Sequence, residues 1–237
     1  MVDDGLQALK EKLAQCCRIM YLEALFASSG HVSARIPGTE RIVIHPRQTS
    51  RAVVEPKDLV AVDLRGRLVE GKLEPPSETA LHTAMYRARP DIQAVAHLHS
   101  HYATIISIAG RPLVPVYTPA SIFAPQVPVY DDPSLIQNDE QGDAVARVLG
   151  QGPAVLLRGH GSVVVAGSVE AVLAASIHFE ENAKKLFDAY QLGTPRAIAP
   201  EEAARIAEQT WQEKSIMKVW LHHQARARAM GVLGPGL

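Results

Sequence analysis

Cysteine is almost missing from this chain of 237 residues. The two that occur, Cys16 and Cys17, are neighbours inside a helical pattern and resemble neither a disulfide framework nor a zinc knuckle, so a reducing cytoplasm is the expected setting. Long apolar runs are missing too. Nothing approaches the ~20 residues that a bilayer-spanning helix needs, so no membrane partner is expected. The first residues, MVDDGLQALKEKL, lack the apolar stretch and small-residue cleavage site of a signal peptide, and none is expected. Charge of one sign is also lacking: 24 Lys and Arg against 25 Asp and Glu leave a net charge of −1, which gives no reason to expect nucleic acid as a partner. No repeat and no linker interrupts the chain. What is present is 47% hydrophobic and 21% charged residues, the balance of an ordinary globular protein long enough to bury a substantial core.

Residues 4–27 carry apolar side chains at Leu6, Leu9, Leu13, Cys16, Met20 and Ala24, a helical spacing that SSG at 28–30 should end. HVSAR, RIVIHP, DLVAVDL and RLVEG read as short strands. SETALHTAMYRARP (77–90) reads as a helix with Ser77 at its N-cap and a proline stop. A strand through AVAHLHS and a helix through ATIISIA follow. The proline-rich stretch 111–133 is too long for a simple connector and points to function. DEQGDAVARVLG is a helix, PAVLLRGHGSVVVAG a pair of strands, 168–193 a long amphipathic helix, and the tail mostly helical. Strands and helices mix without a strict alternation, which predicts one α/β layered domain.

The stretch AVAHLHSHYAT places His97, His99 and His101 at alternate positions, directly after strand-like residues. Side chains two apart on a strand share a face, so His97 and His99 point the same way and can grip one cation. H-x-H alone fits a buried histidine pair as well as a metal pair in a chain with 10 histidines. His160, in LLRGHGSVVV, is the best third ligand. The flanking Gly159 and Gly161 let the backbone bend and bring the ring close to another element, although a plain turn histidine would look the same. Three protein ligands with open positions is how catalytic metals are held. Glu78, in PPSETALHTAM, falls in the first turn of its helix, where the helix dipole alone accounts for a carboxylate. His82, one turn on, reads as packing or as a partner of Glu78.

PPSETALHTAMYRARPDIQAVAHLHSHYATIIS, followed by LLRGHGSVVVAGSVEAVLAASIHFEENAKKL, resembles the class II aldolase/adducin family from about residue 6 to residue 193. The motifs P-x-S-E, RPD, H-x-H and H-G are specific in combination. The resemblance implies a three-layer fold with a central, mainly antiparallel sheet flanked by helices. It implies a catalytic domain over 1–195, with 196–237 a helical extension packing on the same domain or on a neighbouring subunit. It implies a divalent metal (zinc, manganese, iron or cobalt) on His97, His99 and His160, with Glu78 as the acid/base carboxylate beside it. Tyr117 aligns, across a one-residue gap, with a family tyrosine that donates a proton, often across a subunit boundary; a loop tyrosine packing on apolar neighbours fits equally. The family's members are commonly tetramers. Its non-catalytic, adducin-like members generally lack the full metal set, so a lyase is expected here.

The sugar-phosphate members of that family resemble one another in a phosphate cradle of G-N, T-G and S-S elements, and this chain departs from it. His31 follows Gly30 in place of asparagine, Arg47 and Gln48 stand in place of Thr-Gly, and Pro76 precedes Ser77 in place of serine. Arg47 offers a planar fork suited to carboxylate. With Gly30 and Ser77, these residues are the expected substrate-binding set. The pattern looks closer to the decarboxylase members, which act on hydroxylated aromatic or pyridine dicarboxylates. The alternative is an aldolase or epimerase for a phosphorylated ketose. An iron-dependent oxygenase on the same histidines and a non-catalytic module are minor readings. His101 is expected near the pocket, and His222 and His223 in solvent or closing over a neighbouring site.

Overall fold

A computed structural model describes residues 2–234, so residue 1 and residues 235–237, at the outer ends of the two expected segments, lie outside the described residues. Eight strands form one sheet in the order β4-β3-β2-β1-β5-β8-β7-β6. They are β1 (His31–Arg35), β2 (Arg41–Ile44), β3 (Val60–Asp63), β4 (Leu68–Glu70), β5 (Ala94–Leu98), β6 (Val129–Tyr130), β7 (Ala154–Leu157) and β8 (Gly161–Ala166). Every pairing is antiparallel except that of β6 with β7.

The period-two alternation of the central strands gives the sheet two apolar faces, and each is covered by helices. On β5, Ala94, Ala96 and Leu98 join the core built with α1 (Val2–Leu22), α3 (His101–Ile108) and α5 (Val169–Leu192). Val95 joins the opposite core, built with α2 (Thr79–Ala88) and α4 (Asp139–Leu149). This is the expected α/β three-layer arrangement. The tail forms α6 (Pro200–Thr210) and α7 (Glu213–Ala229); Trp220 and Ala227 of α7 are buried in the α1/α5 core of the same chain. Both cysteines are buried free thiols. No helix among the described residues is long and apolar enough to cross a membrane.

Three local readings of the sequence need correction. The first helix stops at Leu22, not at the SSG stretch. The chain turns through Ala24, whose φ is +56°, so that Leu25 and Phe26 enter the core. That burial offsets a left-handed conformation that alanine disfavours. Ser77 is not the cap of α2. Glu78 holds that position, with no side-chain bond to the helix. Finally, β5 ends at Leu98, so the alternate histidines do not share one strand: His99 lies beyond it and His101 opens α3. Two distant groups end the strand. The His99 N–H donates to the Leu25 carbonyl at 3.1 Å. The Glu180 carboxylate accepts from the Tyr102 and Ala103 N–H groups at the start of α3, at 2.7 and 3.1 Å.

Candidate metal centre

Alternation on β5 sends His97 to the α2 face, following Val95. Its Nδ1 lies 3.1 Å from the Ser162 carbonyl. A carbonyl only accepts, so Nδ1 carries the proton and the Nε2 lone pair is free. His99 comes back to the same point from outside the strand, with its Nε2 3.0 Å from that of His97. His160 arrives from the three-residue hairpin between Leu157 and Gly161. Gly159, at φ +67°, permits the turn. Gly161 permits the approach, since a Cβ there would stand 2.2 Å from the Leu98 carbonyl oxygen. The His160 ring centroid is 5.0 Å from that of His97 and 5.3 Å from that of His99.

Glu78 closes the group. Its Oε1 accepts from the Ile136 N–H at 3.1 Å and lies 3.5 Å from His160 Nε2; its Oε2 lies 3.6 Å from His97 Nε2. The carboxylate therefore serves the imidazoles, and the helix-dipole explanation does not account for where it points. Ligand atoms of Glu78, His97, His99 and His160 all lie within 4.8 Å of one another.

Electrostatics favour the neutral forms of His99 and His160. Burial, reinforced by His97, pushes His99 down to about 3. Burial also lowers His160, again with His97 assisting. Burial would raise Glu78, but its contacts with the His97 ring and the Ile136 N–H overcome it and hold the carboxyl at about 2. An ionised carboxylate among imidazole nitrogens is a donor set that suits a divalent cation. Two observations test that fit. Neither ring nitrogen of buried His160 has a hydrogen-bond partner of normal geometry among the described residues. The His97 and His99 Nε2 atoms also lie only 3.0 Å apart. Nitrogens that each sit ~2.1 Å from one zinc ion are brought together in this way. The residues fit a metal.

His31 stands beside this group, not within it. Its Nε2 is 3.9 Å from Glu78 Oε2, and its Nδ1 is bonded to His82 Nε2 at 2.7 Å. His82 in turn reaches Ser33 Oγ at 2.7 Å, and Ser33 reaches Tyr86 Oη at 2.9 Å. The partner of His82 is thus His31, not Glu78. Sequence patterning missed this chain because Ser33, His82 and Tyr86 meet only when β1 and α2 pack.

The remaining expected residues are dispersed. Gly30 lies just before β1 at φ +99°, its carbonyl accepting from Arg51 Nε at 2.9 Å. Arg47 is exposed, held by its backbone N–H to the Glu74 carbonyl. Gln48 lines a cavity with Ser28 and Arg51, and exposed Ser77 lines a different one with Arg65 and Asn138. Tyr117 is outside the imidazole group of its own chain, its Oη donating to Glu181 at 2.5 Å and lying 3.1 Å from His178 Nδ1. His101 is exposed on α3, and its ring packs on Tyr102 at 5.1 Å. His222 is exposed, whereas His223 bonds Glu23 of the same chain at 2.9 Å.

A sheet of this order, with a carboxylate and three imidazoles converging at the end of its central strand, defines a three-layer α/β protein with a candidate metal centre. Residues 11–187 match the model of the class II aldolase and adducin N-terminal domain, and the chain belongs to that family. It is 31% identical to a 3,4-dihydroxyphthalate decarboxylase of Arthrobacter keyseri, over 93% of this chain and 94% of that one. It is 29% identical to a 5-methylthioribulose-1-phosphate/5-deoxyribulose-1-phosphate aldolase of Escherichia coli O45:K1, over 70% of this chain and 76% of that one. In fold it is similar to an L-fuculose 1-phosphate aldolase from Glaciozyma antarctica PI12, with a TM-score of 0.85 at 23% identity, covering 98% of this chain and 93% of that one.

Proposed function

We propose that this lyase removes CO2 from a hydroxylated aromatic or heteroaromatic dicarboxylate, of the dihydroxyphthalate or hydroxypyridine-dicarboxylate kind. One observation carries the choice: similarity to the dihydroxyphthalate decarboxylase runs through 93% of the chain, whereas that to the sugar-phosphate aldolase covers 70%. The exchange of small phosphate donors for His31 and the arginine-bearing loop after β2 supports it.

In this reading His97, His99 and His160 hold a divalent cation, which when bound supplies Lewis-acid stabilisation of the negative charge left by departing CO2. The other steps belong to the chain. Glu78 starts ionised, with Oε1 occupied by the Ile136 N–H. Its Oε2 accepts the proton of the substrate hydroxyl and returns it to the carbon whose carboxylate leaves; the product oxygen is left as an oxyanion and takes up one proton from water before release. His31, oriented by His82, faces the substrate from beside Glu78, and the loop after β2 provides the positive charge for the second carboxylate. Tyr117 serves as proton donor at a neighbouring copy's site in a homotetramer.

The test is incubation of metal-loaded protein with 3,4-dihydroxyphthalate and with a hydroxypyridine-dicarboxylate, with and without chelator, following CO2. Chelator-sensitive release is the expected result. Cleavage of a phosphorylated ketose into a hydroxy-aldehyde, with no CO2 from either acid, replaces this reading with the aldolase one.

A further inference from the structure

The loop after β2 carries two arginines, and they differ in what holds them. Arg47 is exposed, and its backbone alone is tied down. Arg51 is half-buried, and its Nε donates to the Gly30 carbonyl at 2.9 Å. It lies in the wall of a cavity of about 840 Å³, between the end of α1 and this loop, and is the only charged residue among those that line it. Gly30 sits against the end of β5, since a Cβ on it would stand 3.2 Å from the His97 carbonyl oxygen. The next residue, His31, pairs with His97 across the strands. Arg51 is thereby fixed next to the metal cluster by the backbone that leads into it.

We propose that Arg51, and not Arg47, is the anion anchor of the site, taking the substrate carboxylate that is not engaged at the imidazole group. This rests on the decarboxylase reading. With Nε committed to Gly30, the two terminal nitrogens remain as a planar two-point edge, which matches a carboxylate. Among the described residues no carboxylate pairs with the guanidinium, and burial lowers its pKa, opposed by the buried Cys17. An unbalanced, partly desolvated cation is costly unless an anion joins it.

Calorimetric titration of the full, metal-loaded chain with phthalate, and separately with inorganic phosphate, tests the assignment without turnover. Phthalate should bind the wild type, weaken at least tenfold in Arg51→Gln, fall between the two in Arg51→Lys, and change less than twofold in Arg47→Gln. Circular dichroism and metal content establish that each variant is folded, and Arg51→Lys carries the test if Arg51→Gln is not. Failure of the wild type to bind phthalate, wild-type affinity in the Arg51 variants, an equal loss in Arg47→Gln, or Arg51-dependent binding of phosphate alone overturns the proposal. CO2 release separates it from the reading it rests on. Arg51-dependent phthalate binding without CO2 release removes the decarboxylase and keeps the anchor, whereas CO2 release unchanged in Arg51→Gln removes the anchor alone.

Discussion

Two groups of titratable side chains lie on opposite sides of the sheet and are built on opposite terms. On the α2 side, Glu78, His97, His99 and His160 converge within 4.8 Å with few internal hydrogen bonds, and both nitrogens of His160 are unspent. On the α5 side, Tyr117, His178 and Glu181 satisfy one another: the tyrosine donates to the carboxylate, its Oη lies 3.1 Å from the imidazole, and Lys185 stands 4.3 Å over its ring. The first group needs a ligand from outside to be complete, and the second does not. Chemistry is expected where polar groups are buried and unsatisfied. The satisfied group contributes to stability and waits on a neighbour for any catalytic use.

Metal removal gives the largest contrast. Chelation should abolish CO2 release and lower the melting temperature, because a cation that binds only the folded chain stabilises it by mass action. Zinc, manganese or cobalt should restore both. Glu78→Gln should cost on the order of a hundredfold or more in rate, the usual contribution of a positioned acid/base. Tyr117→Phe should leave metal content untouched. Equal melting temperatures with and without chelator would place the metal elsewhere and remove the contrast.

A smaller effect should come from Gly161→Ala. The added methyl meets the Leu98 carbonyl oxygen at 2.2 Å, where neither backbone can yield cheaply. A loss of about 3 kcal/mol is expected in urea unfolding of the metal-free chain, the upper end of the usual range for overpacking. Gly110→Ala, with nothing within 4 Å of its Cβ but a φ of +62°, should cost only the backbone strain, about 1–2 kcal/mol. Equal costs would mean that His160 is not held by close approach at Gly161.

How far this contrast was visible beforehand depends on which contacts are local. The grouping of Glu78, His97, His99 and His160 was legible because H-x-H, G-H-G and P-x-S-E each mark a backbone feature that positions a side chain, and the family resemblance joined them. The alternating strands were legible from their period. The end of β5 was not, because His99, Ser100 and His101 continue the alternation, while the groups that stop the strand, the Leu25 carbonyl and the Glu180 carboxylate, are far along the chain. Arg51 could not be told from Arg47 for a related reason: the carbonyl that selects it belongs to Gly30 on a neighbouring segment. The partner of His82 was misread because α2 alone offers Glu78, while the packed sheet offers His31 at 2.7 Å.

The last and smallest effect sharpens the account of the satisfied group. The His178 imidazole, 3.9 Å from the carboxylate, is the chief cause holding Glu181 down, to about 2, with the Tyr117 hydroxyl assisting against a burial cost. The folded pKa is lower than the value of 4.5 in the unfolded chain. The folded chain therefore binds fewer protons than the unfolded one between these values. The stabilisation is fully present above pH 4.5 and is lost as pH falls through 4.5 toward 2. Urea midpoints measured at pH 6, 4 and 3 should fall less steeply for Glu181→Gln than for the wild type, while the two proteins keep a constant offset above pH 5. The side chain is half exposed, so solvent screening keeps the difference modest. Parallel curves across the whole range would mean that the Tyr117–His178–Glu181 contacts store no charge-dependent stability.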